Sequence, residues 1–239
     1  MRPRRQLQRQ QLDGFELDTD AAVRARSELA ATGAGSEKIF EAHRSAERDF
    51  AVAILTDVSL STDAWVDNRR VLDVEKEALL VLAHGLAGCG DTYALHTFTS
   101  RRREGVLIET VKTFDERLSQ MVQRRIAALR PGAYTRIGAA LRHVTRQMRD
   151  RPEPFRLVLL LTDGKPNDMD HYEGRYGVED TRMAVREARQ SAVRVFAITI
   201  DKKARDYVPY LFGRGGYAII SHVAHLPSAL PLLYRHLTV

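Results

Sequence analysis

Five oxygen-bearing side chains stand where the chain is about to change direction. In AVAILTDVSLSTDAWVD, residues 51–67, an unbroken apolar run from Ala51 to Leu55 leads into Asp57, Ser59 and Ser61, spaced two apart. Thr135 follows a Pro-Gly loop in RPGAYTRIGAALRHV, and Asp163 follows a second apolar run in FRLVLLLTDGKPND. Carboxylate and hydroxyl oxygens, with no histidine or cysteine among them, suit a hard divalent cation: Mg²⁺ first, with Mn²⁺ or Ca²⁺ as alternative occupants. Taken singly, each residue has a plainer role. Thr135 would cap a helix, Ser59 and Ser61 would close local turns, and Asp163 would open an Asp-Gly turn. Their shared position at the ends of strands favours the cation.

Such residues meet only if the elements before them end at one edge. From Asp49 the pattern gives strands at 50–56, 92–99, 106–111, 155–162, 195–200 and 217–220. Helices are expected near 71–87, 116–129, 137–149, 179–192, 207–212 and 227–237. Strands alternating with helices define an α/β fold, a doubly wound and mostly parallel sheet. AVAIL and RLVLLL lack polar alternation, as strands covered on both faces do. Ligands of such sheets lie beyond the carboxyl ends of strands, where the strand order reverses. If the strands ending at Asp57 and Asp163 are neighbours, all five side chains share one crevice. Residues 1–48 read as an extension to the domain at 49–239. LDTDAAVRARSELAATGAG gives a helix capped near Asp18 to Asp20 and stopped by Gly33 and Gly35, and SEKIFEAHRSAERD an edge hairpin.

Composition narrows the classes of function. The 239 residues are 44% hydrophobic and 28% charged, enough for a real core. The net charge is +6 and the pI about 9.6, but basic residues lie beside acidic ones, and the clusters MRPRR and Arg101–Arg103 have no interleaved aromatics. That is a solvated surface and not a nucleic-acid interface. The single cysteine, Cys89, excludes an internal disulfide and fits a reducing compartment. No apolar run approaches a membrane span, so no direct membrane insertion and a cytoplasmic location are expected. GAGSEK has the wrong spacing for a phosphate-binding loop, and GRGG precedes a strand, so the chain is not expected to hydrolyse ATP unaided. There is no GxSxG, and DVSLS lacks the second acid of a phosphoryl-accepting DxD. No catalysis is assigned; a metal-dependent phosphohydrolase is the rival from another class. The polar loop KPNDMDHYEGRYGVEDTR offers Asp168, Asp170 and Glu173 as a partner-recognition surface near the metal edge.

DVSLS with Asp57, Ser59 and Ser61, then Thr135, then TDG with Asp163, resembles the metal-ion-dependent adhesion site of von Willebrand factor A domains, over roughly residues 49–239. The resemblance implies a Rossmann-like A-type domain in which these residues hold Mg²⁺ directly or through water and an acidic residue of a partner completes the octahedron. Longer stretches, QLDGFELDTDAAV, DVSLSTDAWVDNRRVLDVEKEALLVLA, TDGKPNDMDHYEGRYGVEDTR and DYVPYLFGRGGYAI, resemble the C-terminal region of the nitric oxide reductase activation (NorD/CbbO) family. This second resemblance implies an adaptor for a MoxR-type AAA+ ATPase. Its target would be a metalloenzyme, nitric oxide reductase first, with Rubisco activation of the CbbO type as the alternative.

Overall fold

The structure, a computed structural model, describes residues 5–14, 16–45, 49–170, 172, 174–201 and 204–238. Its contacts divide the chain into two units, Met1–Arg48 with Thr238–Val239, and Asp49–Leu237.

The first unit holds strands β1 (Arg5–Gln11), β2 (Glu16–Leu17) and β3 (Phe40–Ser45) in an antiparallel sheet of order β1-β3-β2, with helix α1 (Thr19–Thr32) between β2 and β3 in sequence. Asp18 caps α1 by accepting from the Ala21 N–H, and Gly33 ends it in the left-handed region at φ 75°. Among the described residues of the expected edge hairpin at 36–49 there is one strand, β3, whose described partners come from residues 5–17; residues 46–48 lie outside the described residues. The reason is compositional. RQLQRQQ carries one apolar residue in seven, so β1 has no alternation by which to announce itself.

The second unit contains β4 (Phe50–Asp57), the short hairpin β5 (Trp65–Val66) and β6 (Arg69–Arg70), α2 (Val71–Cys89), β7 (Thr92–Arg101), β8 (Gly105–Lys112) and α3 (Gln120–Ala127). It continues with α4 (Ile137–Arg149), β9 (Phe155–Thr162), α5 (Gly174–Gln190), β10 (Val193–Thr199), α6 (Val208–Phe212), β11 (Tyr217–Ile219) and α7 (Leu226–Thr238). Its six-stranded sheet has the order β11-β10-β9-β4-β7-β8, parallel except for β8, which runs antiparallel to β7. This is the doubly wound, mostly parallel sheet that the alternation of elements requires.

Alternate residues of β4 serve two cores. Val52 and Ile54 pack with α2, α3 and α7, whereas Ala51, Ala53 and Leu55 pack with α4, α5 and α6. The chain leaves β4 for β7 and β8 on one side, then returns for β9, β10 and β11 on the other. The order therefore reverses at the β4–β9 pair, in register from Phe50↔Phe155 to Thr56↔Leu161. Asp57 and Asp163 lie at the carboxyl end of that pair.

Two helices begin elsewhere than their sequence suggests. α3 starts at Gln120, where the Ser119 hydroxyl accepts from the Val122 N–H, and not near Glu116. α5 starts at Gly174, five residues before Glu179, through a glycine-bearing first turn of low helix propensity. Among the described residues no helix is long and apolar enough to cross a membrane.

Candidate metal site

Asp57 closes β4 with none of its surface exposed. One carboxylate oxygen accepts from the Ser59 N–H at 2.9 Å. The other accepts from the hydroxyls of Thr135 at 3.0 Å and Thr162 at 3.1 Å. The Ser59 and Ser61 hydroxyl oxygens are 2.8 Å apart, and Ser61 donates to Asp163 at 2.7 Å. The five side chains singled out by type and spacing thus form one hydrogen-bonded array. Ser59 and Thr135 form its buried floor, while Ser61 is open to solvent.

Local backbone explains the convergence. After Asp57 the chain turns through a single 3₁₀ turn, Leu60–Asp63, which the Thr62 hydroxyl fastens to the Ser59 carbonyl at 2.7 Å. That turn brings Ser61 back beside Ser59. The Pro-Gly loop is laced to the same end of the sheet: Gly132 N–H to the Val58 carbonyl at 2.5 Å, Leu60 N–H to the Ala133 carbonyl at 2.9 Å, and Ala133 N–H to the Thr99 hydroxyl at 2.7 Å. A Cβ at position 132 would stand 2.3 Å from the Thr99 hydroxyl oxygen, so the close approach requires glycine. Thr135 and Asn167 exchange backbone hydrogen bonds of 2.9 and 3.0 Å, which joins the loop after β9 to the same cluster. Thr135 is not a helix cap. The N-cap of α4 is Arg136, without a side-chain cap bond, and the Thr135 hydroxyl goes to Asp57 instead.

Electrostatically the array lacks positive charge. Burial first, and then the charge of Asp163, push Asp57 up to about 7, against the pull of hydrogen bonds from Ser59 and Thr135. Burial likewise raises Asp163. Glu75, on α2 and 2% exposed, is held well above the carboxylate range by burial and by the charges of Asp163 and Asp57, and its Oε2 has no hydrogen-bond partner. No basic side chain contributes to these three shifts.

A divalent cation fits this donor set. Neighbouring oxygens around a six-coordinate Mg²⁺ are about 2.9 Å apart, given metal–oxygen distances near 2.1 Å. The array already spaces its oxygens at 2.7 to 3.0 Å. Among the described residues no group of three or more His, Cys, Asp or Glu is placed to hold a metal, so hydroxyls must carry much of any coordination. The crevice above the array, about 510 Å³, is lined by Ser59, Ser61, Thr135 and Lys165 among others. A larger hollow of about 710 Å³ beside β8 and α3 holds one acid, Glu109, and no comparable array.

Asp168 and Asp170 are placed differently from the partner-facing surface expected of them. Asp168 is buried: it accepts from the N–H groups of Arg102 at 2.8 Å and Met169 at 2.7 Å and pairs with Arg136 at 3.2 Å. Burial opposes its charge, but the hydrogen bonds from Arg102, Met169 and Arg136 outweigh it and hold the carboxyl below its ordinary range. Asp170 accepts from the Arg103 N–H at 2.7 Å and pairs with Arg136, whose guanidinium lies 4.0 Å above the Tyr172 ring. Both acids therefore fasten the loop to the residue after Thr135. Glu173 and His171 lie outside the described residues.

Three contributors escaped the sequence reading. Thr162 immediately precedes Asp163, and Arg136 immediately follows Thr135. Glu75 did leave a signal. In VLDVEKEALL it shares the apolar helix face with Val71, Leu72, Ala78 and Leu79, three and four residues away.

A sheet that reverses at this crevice, edged by DVSLS, a threonine in the loop before α4 and TDG, defines a class, and the family comparison agrees. The chain belongs to the von Willebrand factor type A domain family, whose model matches residues 52–210. Its similarity to individual proteins is more specific. It is 59% identical to "Protein NorD" of Brucella melitensis across 99% of this chain and 37% of that protein, and 45% identical to "Protein NorD" of Stutzerimonas stutzeri across 92% and 36%. The chain thus spans under two fifths of the length of these relatives. Among solved structures it resembles proximal thread matrix protein 1 from the mussel byssus with a zinc-occupied MIDAS motif (TM-score 0.57, 18% identity, 76% of this chain and 46% of that one). It also resembles the manganese-loaded TRAP protein of Plasmodium vivax (TM-score 0.55, 16% identity, 77% and 74%). Identities this low establish the fold alone.

Proposed function

We propose that the chain is a Mg²⁺-dependent protein-binding module of NorD type, working in the cytoplasm as adaptor to a MoxR-type AAA+ ATPase in the maturation of a metalloenzyme, nitric oxide reductase first. The observation that carries the reading is the oxygen array itself. Ser59, Ser61 and Thr135 would bind the ion directly, with Asp57 and Asp163 close by. Bound there, the ion supplies a positive charge that can take a partner's carboxylate as a remaining ligand. The chain's own part is to hold three hydroxyls on one side and leave the other open. The zinc-occupied MIDAS motif of the byssus protein and the manganese-loaded TRAP protein support a divalent ion in a fold of this kind, and the all-oxygen donor set favours Mg²⁺.

A rival phosphohydrolase with Asp57 as its nucleophile would need that carboxylate free. Both oxygens of Asp57 accept hydrogen bonds, and the carboxylate has no exposed surface. The test is retention of a purified MoxR-type ATPase by the immobilised chain in Mg²⁺ and in EDTA, with Asp57→Ala alongside and a generic phosphoester assayed in parallel. Retention in Mg²⁺ alone, lost in the variant and without phosphoester turnover, supports the adaptor. Retention indifferent to Mg²⁺, or turnover abolished by Asp57→Ala, overturns it.

A further inference from the structure

Two exposed segments adjoin the crevice residues, one through the chain after Ser61 and one through the contacts of Arg136, and the fold class does not account for either. On one side are three exposed apolar residues: Leu60, between the two serines, and Trp65 and Val66, on the β5–β6 hairpin (56%, 70% and 38% exposed). Trp65 is four residues from Ser61, so its Cα lies within about 14 Å of that of Ser61. The hairpin is not a loose flap. Asp67 and Asn68 turn it with φ of 49° and 59°, the left-handed pair of a two-residue hairpin. Arg70 pairs with Asp63, Arg69 with Glu77, His222 with Asp67, and the Val71 N–H bonds the Ala64 carbonyl. A mostly exposed tryptophan on a fastened hairpin offers a large apolar surface with only two side-chain torsions to order on docking, which is the character of an interface anchor.

On the other side is the exposed run Arg101–Arg103, at the tip of the β7–β8 hairpin. Arg102 adopts φ 65°, and its N–H and that of Arg103 bond Asp168 and Asp170. Those acids are clamped by Arg136, next to Thr135. The two acids thus engage the backbone of the basic tip, and exposed Lys165 lines the crevice.

We infer that this face is a docking surface for an acidic segment of a partner protein: one carboxylate directed at the crevice, a large apolar side chain against Trp65 and Leu60, and further acids toward Arg101–Arg103. The inference deepens the adaptor reading and rests on it for the cation. Charge complementarity selects the occupant: the Arg101–Arg103 tip and Lys165 are basic, the crevice floor requires a cation, and the acids beside Trp65 (Asp63, Asp67 and Glu77) are paired with Arg70, His222 and Arg69. Cation and basic side chains together attract acids and repel basic segments.

Trp65 is the sole tryptophan of the chain, so its emission reports on this face alone. The probes are short capped peptides of alternating Glu and Leu, Glu and Gly, or Lys and Leu, added in Mg²⁺ or EDTA. The Glu-Leu peptide is expected to shift Trp65 emission to the blue in Mg²⁺ only, and to bind at least about ten-fold more tightly than the other two. By calorimetry, Trp65→Ala and the pair Arg101→Glu with Arg103→Glu should each cost about ten-fold for Glu-Leu, with the Mg²⁺-induced rise in melting temperature unchanged. Equal binding of Glu-Gly, binding of Lys-Leu, indifference to both variants, or Mg²⁺-dependent dimerisation of the chain without peptide would overturn the assignment. The ATPase retention test is independent of these peptides. ATPase capture with no Glu-Leu binding removes this surface and keeps the adaptor; the converse removes the ATPase and keeps the surface.

Discussion

Replacing Asp57 with Asn removes one negative charge from a fully buried position and keeps its size. In the metal-free fold that carboxyl is raised from 3.8 to about 7, so ionising it above neutrality costs the fold on the order of 4 kcal/mol, at about 1.4 kcal/mol per unit. The sign follows from proton binding. Between the two values the folded chain holds more protons at this site than the unfolded chain, so this term makes stability fall as pH rises through that window. The asparagine variant lacks the term. Its amide oxygen can still accept from the Ser59 N–H, and the Thr135 and Thr162 hydroxyls can rotate to accept from its NH₂. Urea unfolding in EDTA, repeated from pH 4 to pH 8, should therefore show wild type losing stability relative to Asp57→Asn by several kcal/mol, with most of the change complete near pH 7. In Mg²⁺ the gap should narrow, since an ion at one hundred times its Kd stabilises wild type by about 2.7 kcal/mol and leaves the variant unmoved. Parallel pH profiles in EDTA would refute the claim of a strained, cation-seeking carboxylate.

Thr135 tests the hydroxyl ligands: Ser should retain both the Mg²⁺-induced rise in melting temperature and ATPase retention, while Ala and Asn should lose both with the fold intact by circular dichroism. Full Mg²⁺ response in the Asn variant would remove Thr135 from the site. Asp168→Ala should destabilise the chain by roughly 3 kcal/mol, because it strips a buried partner from Arg136 and leaves the Arg102 and Met169 N–H groups unpaired. Its carboxyl is depressed in the fold, so in a pH series of urea unfolding the cost should be complete above the ordinary carboxylate range and shrink in acid. A loss below 1 kcal/mol would mean that Asp168 is not the anchor of its loop.

Much of this was legible because the chemistry lay at strand ends. AVAIL and RLVLLL mark themselves as doubly covered strands, and Asp57 and Asp163 occupy the first polar positions beyond them apart from the threonines. The reversal at β4–β9 then follows from the order of elements, and the crevice from the reversal. What stayed hidden was set by pairing across long separations. Whether Asp168 faces solvent depends on Arg136, thirty-two residues earlier, and no local pattern records that contact. β1 was invisible because its stability comes from the ladder with β3 and not from its own side chains. The twelve-residue stretch from Ala64 to Glu75 illustrates both cases. Glu75 is readable from the apolar helix face it interrupts, while the exposure of Trp65 follows from the hairpin and leaves no mark in the local sequence.

The central claim is that Asp57, Ser59, Ser61, Thr135 and Asp163 surround one divalent cation. Crystals grown in Mn²⁺, with anomalous scattering recorded at the manganese edge, test it most directly. One strong peak is expected within coordination distance of the Ser59, Ser61 and Thr135 hydroxyls, absent from crystals of Asp57→Asn. A peak on other residues, or no peak with these five side chains ordered, would contradict it.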